Sequence, residues 1–102
     1  MKKKKEKPLI LNLKKEYFDQ VKIGIKKEEF RIIKEFWTKR LFNKDGTKKV
    51  FSEVIIKLGY PKSDELDKII NFPWNSFYEK ELTHKEFGAE PVLVYAIILE
   101  KS

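Results

Sequence analysis

The sequence predicts an α+β fold: a small closed or nearly closed β-barrel of five to six strands with two helices packed at one side. Three observations carry that reading. Short apolar runs recur along the chain with turn residues between them. Apolar residues at helical spacing occur twice, both in the first half. One run of eight, Val92 to Leu99, is apolar throughout. With 102 residues, 41% of them hydrophobic and 14% aromatic, the chain is one domain by size and has enough apolar material for a core.

Residues 1–7, MKKKKEK, read as a basic flexible tail, and 8–102 as a single domain. PLILNL (8–13) reads as a first strand, with Pro8 at its start, where a missing N–H matters least. KKEYFDQVKIG (14–24) sets Tyr17, Phe18 and Val21 at helical spacing and stops at Gly24. KKEEFRII (26–33) follows as a second strand. KEFWTKRLFN (34–43) returns to a period near 3.6: Ile33, Phe36, Trp37 and Leu41 share one face, while Lys34, Thr38 and Lys39 face water. NKDGTKK is a turn broken at Asp45-Gly46. VFSEVIIKLGY (50–60) alternates Val54, Ile56 and Leu58, which suits a half-buried strand closed by Gly59. Between 61 and 90 two readings stand. Ser63 with Leu66, Ile69 and Ile70 fits a capped helix, and a strand from Leu66 towards Phe72 fits equally; PWNSFYEKEL then holds a bend and a further strand. PVLVYAIILE (91–100) is the clearest strand, its unbroken apolar run implying cover on both faces.

The net charge is +7, unevenly spread. Residues 1–50 hold 17 Lys and Arg against 7 acids, a balance of +10, and residues 51–102 hold 6 against 9, a balance of −3. A basic face able to meet phosphate is expected, although five of the basic residues lie in the tail. With no cysteine there is neither a disulfide framework nor a thiolate metal site, and with one histidine, His84, no zinc centre is expected. No cofactor is implied. No apolar run approaches the ~20 residues that cross a bilayer, and no signal-peptide core follows the basic start. The expectation is a soluble, cytoplasmic protein without a membrane partner.

GIKKEEFR (24–31) sets two lysines, two glutamates and an arginine in eight positions. On a strand, Lys27, Glu29, Arg31 and Ile33 face one way and Lys26, Glu28, Phe30 and Ile32 the other, which puts Glu29 and Arg31 on one face roughly 6–7 Å apart along the chain. At a barrel mouth they would present a carboxylate and hydrogen-bond donors to a nucleobase edge or a phosphate; otherwise they pair with each other as an exposed strand does. Gly24, Lys26, Glu29 and Arg31 spell G-x-K-x-x-E-x-R. That pattern resembles the signature of the ASCH domain family, and LILNL, EYF, EFWTKRL, IKLGY and FGAEP are similar, in the same order, to segments of its small bacterial and phage members. The resemblance implies a PUA-like barrel with the signature residues lining a cleft, and an RNA-binding or RNA-processing role. One ASCH branch removes the acetyl group from N4-acetylcytidine with a lysine, a threonine and a glutamate. The lysine falls on Lys26, but the threonine position falls on Glu29 and the glutamate has no counterpart in 61–90, so that activity is not carried over.

The expected function is therefore an RNA- or nucleotide-binding module whose partner is RNA or a modified nucleoside. The alternative is a small metal-independent hydrolase on a modified nucleoside or RNA, with Lys26 and Glu29 as its catalytic pair. Lys26 serves as a hydrogen-bond partner, a phosphate ligand or, with its pKa lowered in a cleft, a base. Glu29 either accepts from an exocyclic amine or holds Lys26 or Arg31 in place. Arg31 offers a planar fork to phosphate or a base edge, or braces the barrel with a glutamate. Lys39 and Arg40 are phosphate contacts, and Trp37 belongs to the core. Tyr60 either stacks on a base or caps the core, and Trp74 stacks only if its loop is exposed. His84 is a surface residue, and Glu90 is an acid that could reach the cleft.

Overall fold

The computed structural model describes residues 6–62 and 64–101. In chain order the regular elements are β1 (Leu9–Leu13), α1 (Lys15–Lys22), β2 (Glu28–Ile32), α2 (Glu35–Leu41), β3 (Glu53–Leu58), β4 (Ile69–Pro73), β5 (Phe77–Leu82) and β6 (Val92–Ile98). Short 3₁₀ turns lie at Leu66–Lys68 and Lys85–Phe87. Among the described residues this is an α+β chain of two helices and six strands in two three-stranded sheets. The contacts gather into two compact units. The first takes the described residues up to Lys27, then Val50–Asn75, then Leu99 onward; the second takes Glu28–Lys49 and Ser76–Ile98.

The first unit is built on the sheet β1-β3-β4, with β1 parallel and β4 antiparallel to the central β3. Alternation decides its burial. Leu9, Leu11 and Leu13 stand opposite Val54, Ile56 and Leu58, and Val54 stands opposite Phe72, so one face of the sheet is apolar across all three strands. Leu9, Val54 and Ile56 are fully buried, each worth roughly 1.5–3 kcal/mol over exposure. Helix α1 packs on β3 and buries Phe18 and Val21. Its end is sharp: the N–H groups of Ile25 and Lys26 both donate to the Gln20 carbonyl, and Gly24 takes φ +87° between helix and strand, a conformation that L side chains rarely adopt.

The second unit is built on the antiparallel sheet β2-β6-β5. Its central β6 is buried at four consecutive positions, Val94 to Ile97, as its unbroken apolar run requires. Helix α2 lies on the face that carries Tyr95 and Phe77. The Thr38 and Tyr95 hydroxyls are 2.5 Å apart, and the Phe42 ring packs 5.4 Å from Phe77 and 5.9 Å from Tyr95. After α2 the chain turns at Asp45-Gly46, where the Asp45 carboxylate accepts from the Thr47 N–H at 3.0 Å and from its hydroxyl at 2.6 Å. Those bonds hold the Asp45 carboxyl below its usual pKa.

Three expectations are corrected. β2 spans Glu28–Ile32 rather than 26–33, because the backbone at Ile25 and Lys26 is tied to the end of α1. Of the apolar face proposed for α2, Leu41 is fully buried, Trp37 is half-buried, and Phe36 is 58% exposed. The helix has only seven residues and its one buried position is at its end, so Phe36 in its first turn is left facing outward. In the ambiguous stretch, Ile69–Pro73 is a strand and Leu66–Lys68 a single 3₁₀ turn with Leu66 exposed. Ser63, the cap of the helical alternative, lies outside the described residues, as do residues 1–5 of the basic tail.

Candidate functional site

In the first unit, a groove of about 930 Å³ opens beside the end of α1. One wall is the run from Val21 through Gly24 to Lys27, another is Ile69–Phe72 on β4, and a third is Leu99–Lys101. Lys22, Lys26, Lys27 and Lys101 line it, against the single carboxylate of Glu100. Two of the ammonium groups lie over aromatic rings: Lys26 Nζ is 5.7 Å from the Tyr17 centroid, and Lys101 Nζ is 5.9 Å from that of Phe72. Lys22 and Lys27 form no ion pair among the described residues. The Asn71 amide, which also lines the groove, donates to the Glu53 carboxylate at 2.7 Å. Four compact cations around an open, polar concavity are suited to phosphate oxygens, which lysine meets as a point charge.

In the second unit, β2 carries the other two charged residues of the G-x-K-x-x-E-x-R pattern. Glu29 and Arg31 share a face, opposite Ile97 and Tyr95 of β6, as alternation requires. They pair at 3.0 Å, and Glu29 is the one charged residue buried among those described, at 6% exposure. The Arg31 guanidinium lies 5.1 Å from the Trp37 centroid and that of Arg40 lies 5.0 Å from it. Trp37 is therefore held by two cations from different elements, a role that its register with Leu41 conceals. Phe36 stands edge-on to Trp37, with centroids 5.3 Å apart at 87°, and Arg40 also reaches its ring at 5.7 Å.

The opposite face of the same sheet holds a cluster that sequence reasoning missed. Tyr78 of β5 donates its hydroxyl to the Glu28 carboxylate, and Lys80 approaches the other oxygen at 3.2 Å while lying 5.2 Å from the Phe30 centroid. The hydrogen bond from Tyr78 to Glu28 raises the Tyr78 pKa, and that from Lys80 raises the Lys80 pKa. β2 and β5 flank β6 and meet across Ala96, a side chain small enough to be bridged. Only the strand register reveals this, and a single sequence does not supply it.

The remaining sequence candidates fall as follows. Lys39 pairs with Glu35 at 2.9 Å on the exposed side of α2. Tyr60 follows Gly59 and is 92% exposed, so it does not cap the core. Trp74 is half-buried, its ring steeply inclined to that of Phe51 with centroids 4.9 Å apart. His84 caps the 3₁₀ turn at Lys85–Phe87, its Nδ1 accepting from the Glu86 N–H at 3.1 Å. Glu90 is exposed, outside the groove lining. Among the described residues no group of three histidine, aspartate or glutamate side chains is placed to hold a metal, and no helix is long and apolar enough to cross a membrane. In comparisons with known proteins, no family model, no curated protein and no solved structure matches the chain.

Proposed function

We propose that the chain is an RNA- or nucleotide-binding module built on a PUA-like β-barrel, the fold its signature implies, and that phosphate is held in the lysine-lined groove beside Gly24 and Lys26. The observation that carries this reading is the groove itself: four lysines against one glutamate around about 930 Å³ of open space. It fits a ligand that is anionic at several points.

Binding through those lysines must release counterions. If all four contact phosphate on a single strand, the logarithm of the binding constant falls with the logarithm of salt at a slope of about −3, a loss of about 50-fold between about 50 and 200 mM salt. Titrating a labelled single-stranded RNA over that range measures the slope directly. Lys26→Ala with Lys27→Ala should lower its magnitude by about 1.4 and weaken all RNA sequences alike. A salt-independent affinity, or no binding by the unaltered chain, rejects the reading. Assaying cytidine, N4-acetylcytidine and their monophosphates in parallel for turnover distinguishes a reader from a hydrolase.

A further inference from the structure

The exposed end of α2 has no role in the groove, and its surface chemistry is unusual. Phe36 is 58% exposed, although Leu41 of the same helix is fully buried. It is held rather than loose: Trp37 meets it edge-on at 5.3 Å, and the Arg40 guanidinium lies 5.7 Å from its centroid. Arg40 in turn is fixed against Trp37, 5.0 Å from that centroid, and Trp37 is fixed by Arg31 at 5.1 Å. Arg31 is anchored by the buried Glu29. A chain of contacts from the sheet thus ends in one aromatic ring presented to solvent beside a guanidinium plane.

The sequence around it is predominantly basic. Residues 34–49 hold six Lys and Arg, namely Lys34, Lys39, Arg40, Lys44, Lys48 and Lys49, against Glu35 and Asp45. Glu35 is spent on Lys39, and Asp45 on the hydroxyl and amide of Thr47. Lys48 is turned to the Phe77 carbonyl at 2.6 Å, and Lys34, Arg40, Lys44 and Lys49 form no ion pair among the described residues. An apolar protein partner would meet this basic surround at a cost in desolvation. An unpaired nucleobase meets it well, because its π face stacks on a ring or a guanidinium and its own phosphates find the cations.

We propose that Phe36 and Arg40 form a stacking platform for one unpaired base, so that the nucleic acid bound by this protein is single-stranded at that point. This rests on the RNA-binding reading and adds to it a preference between single-stranded and duplex RNA that the lysine groove does not itself provide. Bases in a duplex are already stacked on their neighbours and cannot offer a free face to Phe36.

The test measures affinities of the full chain for one labelled single strand and for the same strand annealed to its complement, at one fixed salt concentration. The unaltered protein should favour the single strand. Phe36→Ala should weaken single-strand binding by about 5- to 150-fold, the range found for losing one stacked base, and leave duplex binding unchanged. Phe36→Trp should restore or exceed the original affinity. Arg40→Lys, which keeps the charge and removes the planar fork, should lower single-strand affinity while preserving the salt slope. Circular dichroism of each variant establishes that it is folded. No preference for single strands, or Phe36→Ala binding as tightly as the unaltered protein, overturns the platform and leaves the groove standing. A protein that binds neither RNA overturns both.

Discussion

Replacing Arg31 with leucine removes a charged partner of a buried carboxylate. Glu29 is 6% exposed and pairs with Arg31 at 3.0 Å, while the Arg31 side chain is itself 23% exposed. Breaking a fully buried pair from one side costs about 3–5 kcal/mol, because the remaining charge stays desolvated. Water reaches Arg31 at its edge, so the expected loss lies lower, at about 2–3 kcal/mol. The contact to Trp37 at 5.1 Å adds a few tenths of that range. For a chain of this size such a loss lowers Tm by roughly 10–20 °C. Urea unfolding followed by tryptophan fluorescence suits the measurement, since Trp37 and Trp74 are the only tryptophans and each packs against other side chains. Glu29→Leu combined with Arg31→Leu should recover most of the stability, because two apolar side chains of similar volume leave no orphaned charge. An Arg31→Leu loss below about 0.5 kcal/mol would refute the reasoning, for then the pair behaves as an ordinary surface ion pair.

Two further outcomes follow from the second unit. Thr38→Val removes the hydroxyl that meets buried Tyr95 at 2.5 Å and should cost about 1–2 kcal/mol in urea unfolding; Tyr95→Phe in the same background should then cost little more, since both lose one bond. At alkaline pH the cluster on the other face should fail. Hydrogen bonding to Glu28 raises the Tyr78 phenol above its usual 10.0 and Lys80 above 10.5, so both protonated forms are favoured by folding. Their contribution is complete below about pH 10 and disappears as pH rises through the raised values. Urea midpoints measured from roughly pH 9 to 11.5 should therefore fall, and Tyr78→Phe should flatten that fall. An unchanged slope in the variant would assign the alkaline loss to other groups.

How far the sequence disclosed this molecule depends on whether one chain segment or two decide a feature. β1, β3 and β6 were legible because each needs only its own pattern: Leu9, Leu11 and Leu13 alternate, Val54, Ile56 and Leu58 alternate, and Val92 to Leu99 is apolar on both sides. α1 was legible for the same reason, with Gly24 marking its end at φ +87°. Leu66 to Phe72 was not, because Leu66, Ile69 and Ile70 satisfy a helical spacing while Ile70 and Phe72 satisfy a strand; pairing with β3, Ile56 against Ile70 and Val54 against Phe72, decides for the strand. Phe36 and Trp37 misled for a related reason. Periodicity places them on the face of Leu41, but what holds Trp37 is Arg31, which comes from another element.

The signature divides along the same line. Strand alternation alone sets Glu29 and Arg31 on one face, and their closeness follows from the two-residue repeat, so that half of the site is legible in the strand's own residues. Lys26 precedes the strand. Its position follows from the backbone bond of its own N–H to Gln20, which ties it to α1 and so to the groove that Lys22, Lys27 and Lys101 share with it. Three of those four lysines lie in one stretch of six residues, yet Lys101 comes from the far end of the chain, on the segment that leaves β6. The stretch that holds three of the lysines is visible in the sequence, but that Lys101 and Ile69–Phe72 close the same groove is not. The excess of positive charge in the first fifty residues does not locate it either, since only three of those seventeen basic residues line the groove and five lie in the tail.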